Sequence, residues 1–294
     1  MSKILSAEMF KVMKGKALMI NSLIVVGFVI FFSLLAIFSL NTFTDEELIN
    51  LGLYGAFPEE GLRALVYSLP FFREVIIICA AVLSGIWICD EFDSGTIRNI
   101  LSTGASRTKF YFSKLIFIFL TSVVFILISA LIYFLITTVA FSLGDSSSID
   151  VANSLFFLIG MLLSYLTYVS IFVMMGFLFR NIGATLGVGI GFAALAETLL
   201  IWGLGFVGPL RFLLNIFPLH NVGRFNDVFN AGINNQILIT DGVVYSELLG
   251  TYIPVITETK SAANEYIIAV VLCVAMIIIA TLIGVLTFKK RDVK

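Results

Sequence analysis

Residues 90–114, DEFDSGTIRNILSTGASRTKFYFSK, form a polar segment between two long apolar runs. Three of its apolar residues have the i, i+3, i+4 spacing of one face of a short helix. They are Ile97, Ile100 and Leu101. Ser94 is placed to cap this helix, Gly104 to end it, and Ser106 to cap a second helix that runs on into apolar sequence. The segment therefore predicts a short amphipathic helix across the end of a helix bundle, with one face toward water.

The composition is that of an integral membrane protein. Of the 294 residues, 60% are hydrophobic and 13% are charged, whereas soluble domains average about 45–50% apolar and about 25% charged residues. Six apolar runs are long enough to cross a hydrocarbon core of about 30 Å as helices. They cover residues 17–40, 70–89, 114–143, 153–179, 182–206 and 266–288. We expect an all-α integral membrane protein that forms a single domain over residues 1–294.

The distribution of charge predicts the orientation. Four segments hold 13 of the 18 Lys and Arg residues: 1–16, 90–114, 180–181 and 289–294. Lys and Arg collect in short loops on the cytoplasmic side of membrane proteins. Both termini and the 90–114 loop are therefore predicted to be cytoplasmic, in a multi-pass protein of the plasma membrane. The net charge of −1 gives no indication of a nucleic-acid partner.

The N-terminal residues 2–16 are predicted to form an amphipathic surface helix. Four apolar residues fall on one face of such a helix, and lysines lie mostly on the other. The apolar residues are Leu5, Met9, Val12 and Met13. A helix of this kind lies in the headgroup layer of a bilayer. The alternative is a simple polar tail.

Residues 207–265 form the longest polar segment, which is predicted to be extracellular. Val207–Leu219 is apolar but too short to cross the membrane, so we expect a re-entrant or interfacial helix there. Asn221–Asn235 is rich in Asn and Gly and is interpreted as a loop. Gln236–Ile256 is compatible with a short hairpin, in which Asp241-Gly242 would form a type I′ turn.

The fifth apolar run contains a repeated glycine pattern. Gly183, Gly187 and Gly191 are spaced at every fourth position, which lets two helices approach closely in a membrane. The partner helix could belong to the same chain or to a second copy.

The same run carries Glu197, and a carboxylate in mid-span is costly unless it faces a cavity or a polar partner. Two interpretations of Glu197 stay open. It could line a translocation path, or it could lie near the outer interface, hydrogen-bonded to the 207–219 segment with Arg211 as a possible partner.

Several kinds of chemistry have no sequence support. There is no G-x-x-x-x-G-K-[ST] motif for nucleotide phosphates. No metal-ligand cluster or catalytic site is visible, since His220 is the only histidine. The three cysteines lie in or beside apolar runs and are interpreted as packing residues. We therefore expect no cofactor on this chain. If ATP drives the protein, ATP and Mg²⁺ are bound by another subunit.

The 90–114 segment resembles the cytoplasmic loop of ABC-2 type transporter permeases. Its acidic start, GTIRN at 95–99, LS at 101–102 and SRTK at 106–109 carry the resemblance. In that family the element, here residues 91–106, is a coupling helix that sits in a groove of a separate ATP-hydrolysing subunit. The resemblance implies coupling residues at Glu91, Phe92, Gly95, Thr96, Ile97, Arg98, Ile100, Leu101 and Arg107. The alternative is an ordinary basic loop that anchors helix ends.

The order of the segments along the chain matches the same family. The resemblance implies the membrane subunit of an ABC exporter, with a cytoplasmic P-loop ATPase and either a second copy or a sister permease as partners. The chain is similar to permeases for bacitracin-type resistance and lantibiotic self-protection. This similarity favours an amphipathic or antimicrobial peptide, or a hydrophobic drug, as the substrate. A stand-alone secondary transporter and a peptide-sensing membrane subunit are the alternatives.

Overall fold

The computed structural model describes residues 16–43, 64, 66, 68–69, 71–144, 151–205, 213–232, 234–246 and 251–290. Within these ranges, five helices are long and apolar enough to cross a membrane. They are α1 (Lys16–Thr42), α2 (Arg73–Asp93), α4 (Arg107–Ala140), α5 (Val151–Phe179) and α9 (Ala262–Lys290). These helices lie over the first four and the sixth of the predicted apolar spans.

The fifth predicted span is helical throughout, but it is not one regular α-helix. It consists of α6 (Ile182–Gly191), a π-helix (Phe192–Ala196) and α7 (Glu197–Gly205), which follow one another without a break. Single π-helical turns inside α-helices are frequent at functional sites. The remaining helices are α3 (Thr96–Ser102) and α8 (Pro218–Ala231).

Helices α2 and α5 form the centre of the bundle. In their most apolar stretches 72% and 67% of the residues are buried, against 28% in both α1 and α9. The α5 helix packs against α2, α8 and α9, and α1 packs along α4. The outer faces of α1 and α9 expose many large apolar side chains. In a bilayer these faces contact lipid, because the hydrocarbon tails are as apolar as the exposed side chains.

The interpretation of Asn221–Asn235 as a loop is wrong, since α8 covers most of it. The helix starts at Pro218, which has no N–H to satisfy in a first turn. Val222, Phe225 and Val228 repeat every three residues and are buried. Asn and Gly have low helix propensity, but tertiary packing of an apolar face overrides propensity. The α8 helix packs this face against α5 and α9.

A hairpin exists after α8, but the predicted turn is misplaced. Strand β1 (Gln236–Ser246) pairs antiparallel with β2 (Thr251–Ser261). Asp241-Gly242 lies within β1, where Thr240 pairs with Ile256 and Val243 with Pro254, so β1 holds one extra residue. The dipeptide therefore sits in a β-bulge rather than a type I′ turn. Among the described residues the chain is mostly helical, as predicted, and β1 and β2 are the strands.

Two predicted elements fall outside the described residues. The surface helix at 2–16 is described only from Lys16, which begins α1. The re-entrant segment is described only from residue 213, where a single 3₁₀ turn covers 213–216 before α8. Both stay predictions.

Candidate functional site

The start of α3 is formed by a glycine. Gly95 occupies the N-cap position with φ of 67°, a left-handed conformation that favours glycine. Ser94 does not cap α3, contrary to the prediction. Its backbone is still helical and its N–H bonds to the carbonyl of Asp90 at 2.9 Å, whereas an N-cap residue is extended. The hydroxyl of Ser94 instead contacts Thr96 Oγ1 at 2.8 Å.

The end of α3 follows the sequence prediction. Gly104 has φ of 86°, and its N–H bonds to the carbonyl of Leu101 at 3.1 Å, which terminates the helix. Ser106 caps α4, because its hydroxyl oxygen accepts a hydrogen bond from the N–H of Lys109 at 3.2 Å. Both predictions are confirmed. The turns at both ends fix α3 as a short separate helix between α2 and α4.

The two faces of α3 have different environments. Ile97 is fully buried, and Ile100 and Leu101 are partly buried against the bundle core. The opposite face is polar and exposed, and it consists of Arg98, Asn99, Ser102 and Thr103. We call these four residues the α3 polar face. The apolar stripe thus holds α3 on its own bundle, and the α3 polar face is left for the aqueous phase.

A buried ion pair lies beneath α3. Lys114 Nζ on α4 is 2.8 Å from Glu91 Oε1 near the end of α2. The exposed fractions of the two side chains are only 2% and 1%. A buried pair of this kind stabilises little overall, but removing one partner leaves an uncompensated charge. The pair therefore ties the two helices that flank α3.

An aromatic group lies at the same end of the bundle, with the ring centroid of Phe110 5.4 Å from Lys114 Nζ, and we call it the five-ring cluster. Its members come from α2, α4, α5 and α9 and are Phe92, Phe110, Tyr111, Phe177 and Phe288. Neighbouring ring centroids lie 4.7–6.2 Å apart, the range of favourable aromatic contacts. The guanidinium of Arg180 stands 4.8 Å above the ring of Phe92. Phe92, near the end of α2, is therefore packed against α5, α9 and the turn between α5 and α6.

Arg107 closes the end of α9. Its Nη1 donates hydrogen bonds to the carbonyls of Phe288 and Lys289 at 3.0 and 2.9 Å. The last carbonyls of a helix lack partners within the helix, and a cation there is favoured by the helix dipole. The side chain also lies 5.8 Å from the ring centroid of Phe288. Arg107 therefore links the start of α4 to the end of α9.

The nine predicted coupling residues thus divide into two groups. Arg98 is exposed and Thr96 is half-buried. The others form the turn, the buried apolar face or the packing beneath α3, and they are Glu91, Phe92, Gly95, Ile97, Ile100, Leu101 and Arg107. Lys114, the partner of Glu91, and Arg180, which lies over Phe92, were not predicted from the sequence. The available signal was a cation at the edge of an apolar run, which in a membrane usually has a partner.

Glu197 lies in a second polar site, away from α3. It is fully buried at the start of α7. Its Oε1 accepts a hydrogen bond from the N–H of Leu219 at 2.5 Å, and its Oε2 accepts one from the hydroxyl of Tyr168 at 2.7 Å. Of the two open interpretations, a bond to the 207–219 segment is observed. Arg211 lies outside the described residues.

The glycine pattern of α6 faces outward. An added Cβ would meet nothing within 4 Å at Gly187 or Gly191, and at Gly183 it would meet only the side chain of Asn181. The tight helix contact inside the chain uses Gly189 instead, where Phe172 is 3.3 Å from such a Cβ. The described part of the chain therefore leaves the predicted packing stripe uncovered.

Polar contacts hold α8 to the start of α9. Arg224 Nε is 3.0 Å from Glu265 Oε2, and Arg224 Nη2 donates to Asn215 Oδ1 at 2.6 Å. Burial, and then the charge of Arg224, lower the pKa of His220 below its ordinary value. Burial and the charge of Glu265 raise the pKa of Asp227.

Within the described ranges, no three His, Cys, Asp or Glu side chains are grouped to hold a metal ion.

Comparison with known proteins gives one match. A family model described as "ABC-2 family transporter protein" matches residues 4–195. The matched range includes α1 to α6, and with them α3 and the ion pair beneath it. No curated protein matches the chain. No solved structure matches it either.

Proposed function

The chain belongs to the ABC-2 family of transporter proteins, and on this premise we propose that it is the permease subunit of an ATP-driven exporter. A separate cytoplasmic P-loop ATPase would bind ATP and Mg²⁺ and supply the energy. Binding of ATP would bring two ATPase subunits together and push on α3 in each of two paired permeases. A path would then open between the two helix bundles, and hydrolysis would reset it.

The observation that carries this proposal is the division of α3 into two faces. Its apolar side is taken up by its own bundle, with Ile97 fully buried. Its polar side is exposed and includes a cation, Arg98. An ordinary loop that anchors helix ends does not require a separate helix with two such faces. A helix seated rigidly on the bundle and polar on its outer side fits a docking element for a soluble subunit.

The proposed topology has six spans with both termini in the cytoplasm. Five helices meet the length and apolarity of a span. The consecutive helical segments from Ile182 to Gly205 would supply the sixth, at about 1.5 Å of rise per residue. An even number of spans keeps the two basic termini on the same side as α3. The α8 helix and the hairpin would then lie outside.

The proposed cargo is an amphipathic or antimicrobial peptide, or a hydrophobic drug, that is moved out of the cell or its membrane. Support comes from the resemblance to permeases for bacitracin-type resistance and lantibiotic self-protection. A deletion strain and a complemented strain would be compared for sensitivity to a panel of such peptides and drugs. Unchanged sensitivity to every compound would contradict this choice of cargo.

The partner is tested by purifying the tagged chain in mild detergent from its own host and identifying co-purifying proteins by mass spectrometry. The test variant is Arg98→Glu with Ser102→Trp, because both residues are exposed on the α3 polar face. The matched control is Lys290→Glu, an exposed basic residue at the same end of the bundle. Ile97→Asp would be an unsuitable variant, since Ile97 is fully buried and a buried carboxylate would destabilise the fold.

We expect a P-loop ATPase to accompany the wild-type chain and the control, and to be lost from the α3 variant. A wild-type chain that purifies without any ATPase would contradict the exporter and favour a stand-alone transporter. Equal recovery of the ATPase with the α3 variant would contradict α3 as the docking element.

A further inference from the structure

We propose that Glu197 is a positioning residue that holds the start of α8 on the membrane helices, and that it is not a substrate-binding carboxylate. The inference is independent of the proposed exporter function, since it concerns contacts within the chain. It rests on the first turn of α8, on the two partners of Glu197, and on the helix that carries it.

The first turn of α8 lacks a cap of its own. Phe217 is at the N-cap position and has no side chain that can accept a hydrogen bond. Pro218 follows and has no N–H. The N–H of Leu219 is therefore the first free donor of the helix, and buried donors of this kind need a partner. Glu197 Oε1 accepts this hydrogen bond at 2.5 Å, in the place of an N-cap side chain.

The carboxylate of Glu197 is enclosed by the protein, and each of its oxygens already accepts a hydrogen bond. Its second oxygen accepts the hydroxyl hydrogen of Tyr168 at 2.7 Å. The exposed fractions of Glu197 and Tyr168 are 0% and 1%. A substrate-binding carboxylate would present at least one oxygen to a cavity, whereas both oxygens here are enclosed and engaged.

The helix carrying Glu197 brings these partners together. The π-helix ends immediately before it, and the N–H of Glu197 bonds to the carbonyl of Phe192, five residues earlier. The wider turn sets the rotation of α7 relative to α6, with Leu195 and Leu199 exposed on the other side. Glu197 is thus directed between α5, which carries Tyr168, and the start of α8. With the Arg224–Glu265 pair, α8 is held to both α7 and α9.

The hydrogen-bond chemistry allows the two roles to be separated by substitution. In Glu197→Gln the amide oxygen can accept from Leu219, and the amide NH₂ can donate to Tyr168, because a phenol hydroxyl is both donor and acceptor. The positioning contacts survive, although the charge is lost. Glu197→Met has a similar length but removes both contacts. If Glu197 instead bound a cationic substrate or a proton, the loss of its charge would impair that role equally in both variants.

The readout is the reaction of a buried thiol on α8 with a maleimide in membrane vesicles, which requires no ATPase and no substrate. Val222→Cys places the thiol one turn after Leu219, at a position only 5% exposed. The chain without Val222→Cys gives the background from the native cysteines. The rate of labelling follows how often this part of α8 opens. The matched control is Asn181→Ala, which removes the N-cap of α6 and leaves α8 untouched.

We expect Glu197→Met to speed labelling by about 5- to 30-fold, the effect of losing one or two such contacts. Glu197→Gln should stay within about twofold of the parent, a difference well below the tenfold that 1.4 kcal/mol represents. Asn181→Ala should have no effect on the probe. Equal labelling of the parent and Glu197→Met would overturn the inference, and so would a Gln variant as open as the Met variant.

Discussion

Among single residues, buried side chains that have no free space around them determine the packing at the α3 end of the bundle. Glu91 and Lys114 are enclosed together at 2.8 Å. Tyr111 is fully buried against α9 at Gly284, where an added Cβ would overlap the tyrosine oxygen. Such positions tolerate change poorly, because neither charge nor volume can be relieved by solvent.

We predict that Lys114→Met destabilises the chain strongly. It would remove the cation that lies 2.8 Å from the buried carboxylate of Glu91, and breaking a buried ion pair typically costs about 3–5 kcal/mol. The double variant Glu91→Gln, Lys114→Met should recover much of the loss, because no unpaired charge remains. Thermal unfolding of the chain in detergent measures the effect. Equal melting temperatures of the single and double variants would show that the ion pair is not coupled.

We also predict that Gly284→Ala lowers the melting temperature, although alanine is the better helix former. The new methyl group would overlap Tyr111, and overpacking of this kind costs about 1–3 kcal/mol. Gly187→Ala is the matched control, since it also changes a helical glycine but meets nothing within 4 Å. A Gly284→Ala chain as stable as this control would contradict the close approach.

At the scale of elements, α8 shows how a weak helix former becomes ordered. Its sequence PLHNVGRFNDVFNA contains Gly and three Asn residues. Its apolar face is buried against α5 and α9, and charged partners hold it at Glu197 and Glu265. Polar groups buried at such a contact make the packing sensitive to protonation.

We predict that acidification loosens α8 through His220. Burial and Arg224 lower the pKa of His220, so the unfolded chain binds its proton more readily than the folded chain. Stability is unaffected well above pH 6.5 and falls as the pH decreases below it. Thiol labelling of Val222→Cys at pH 7.5 and 5.5 measures this, with each rate divided by that of an exposed cysteine at the same pH because the thiolate is the reactive form. The corrected rate should rise at pH 5.5, and His220→Gln should reduce this rise. Asp227, whose pKa is raised, is present in both chains and cancels in the comparison. An unchanged pH dependence in His220→Gln would contradict the prediction.

At the scale of the whole molecule, the distribution of packing distinguishes central from peripheral helices. The α2 and α5 helices are enclosed by their neighbours, while α6 leaves its glycine stripe uncovered within the described part of the chain. The stripe lets another helix approach closely without displacing side chains. A second permease copy, or a sister permease, is the partner that the proposed function requires.

We predict that Gly187→Leu weakens self-association several-fold and does not lower the melting temperature of the monomer, since leucine is the better helix former. A Leu side chain at this position has free space in the monomer but would obstruct close contact with a second helix. Cross-linking in native membranes measures the dimer fraction. Gly203→Leu is the control, because Gly203 is also exposed and uncrowded but lies outside the stripe. Equal dimer fractions in both variants would exclude α6 from the interface.

Patterns within the sequence were sufficient to predict the membrane class, the positions of the long helices and the family. These features depend on local signals: the length of apolar runs, the i, i+3, i+4 stripe of α3, the glycine that ends α3 and the serine that caps α4. Each of these signals lies within one continuous stretch of sequence. Those of α3 and α4 act between residues within about four positions of one another. A single chain therefore carries this information without reference to its fold.

The orientation of these elements and the pairing of distant polar groups follow only from the tertiary structure. The apolar side of α3 was predicted, but only packing shows that it is taken up by its own bundle. Glu197 and Tyr168 are 29 residues apart in sequence, and Leu219 lies 22 residues beyond Glu197. Packing also made a helix of the Asn-rich segment and placed Asp241-Gly242 in a bulge. The physical reason is that burial and pairing are long-range, and they override local propensity wherever the two differ.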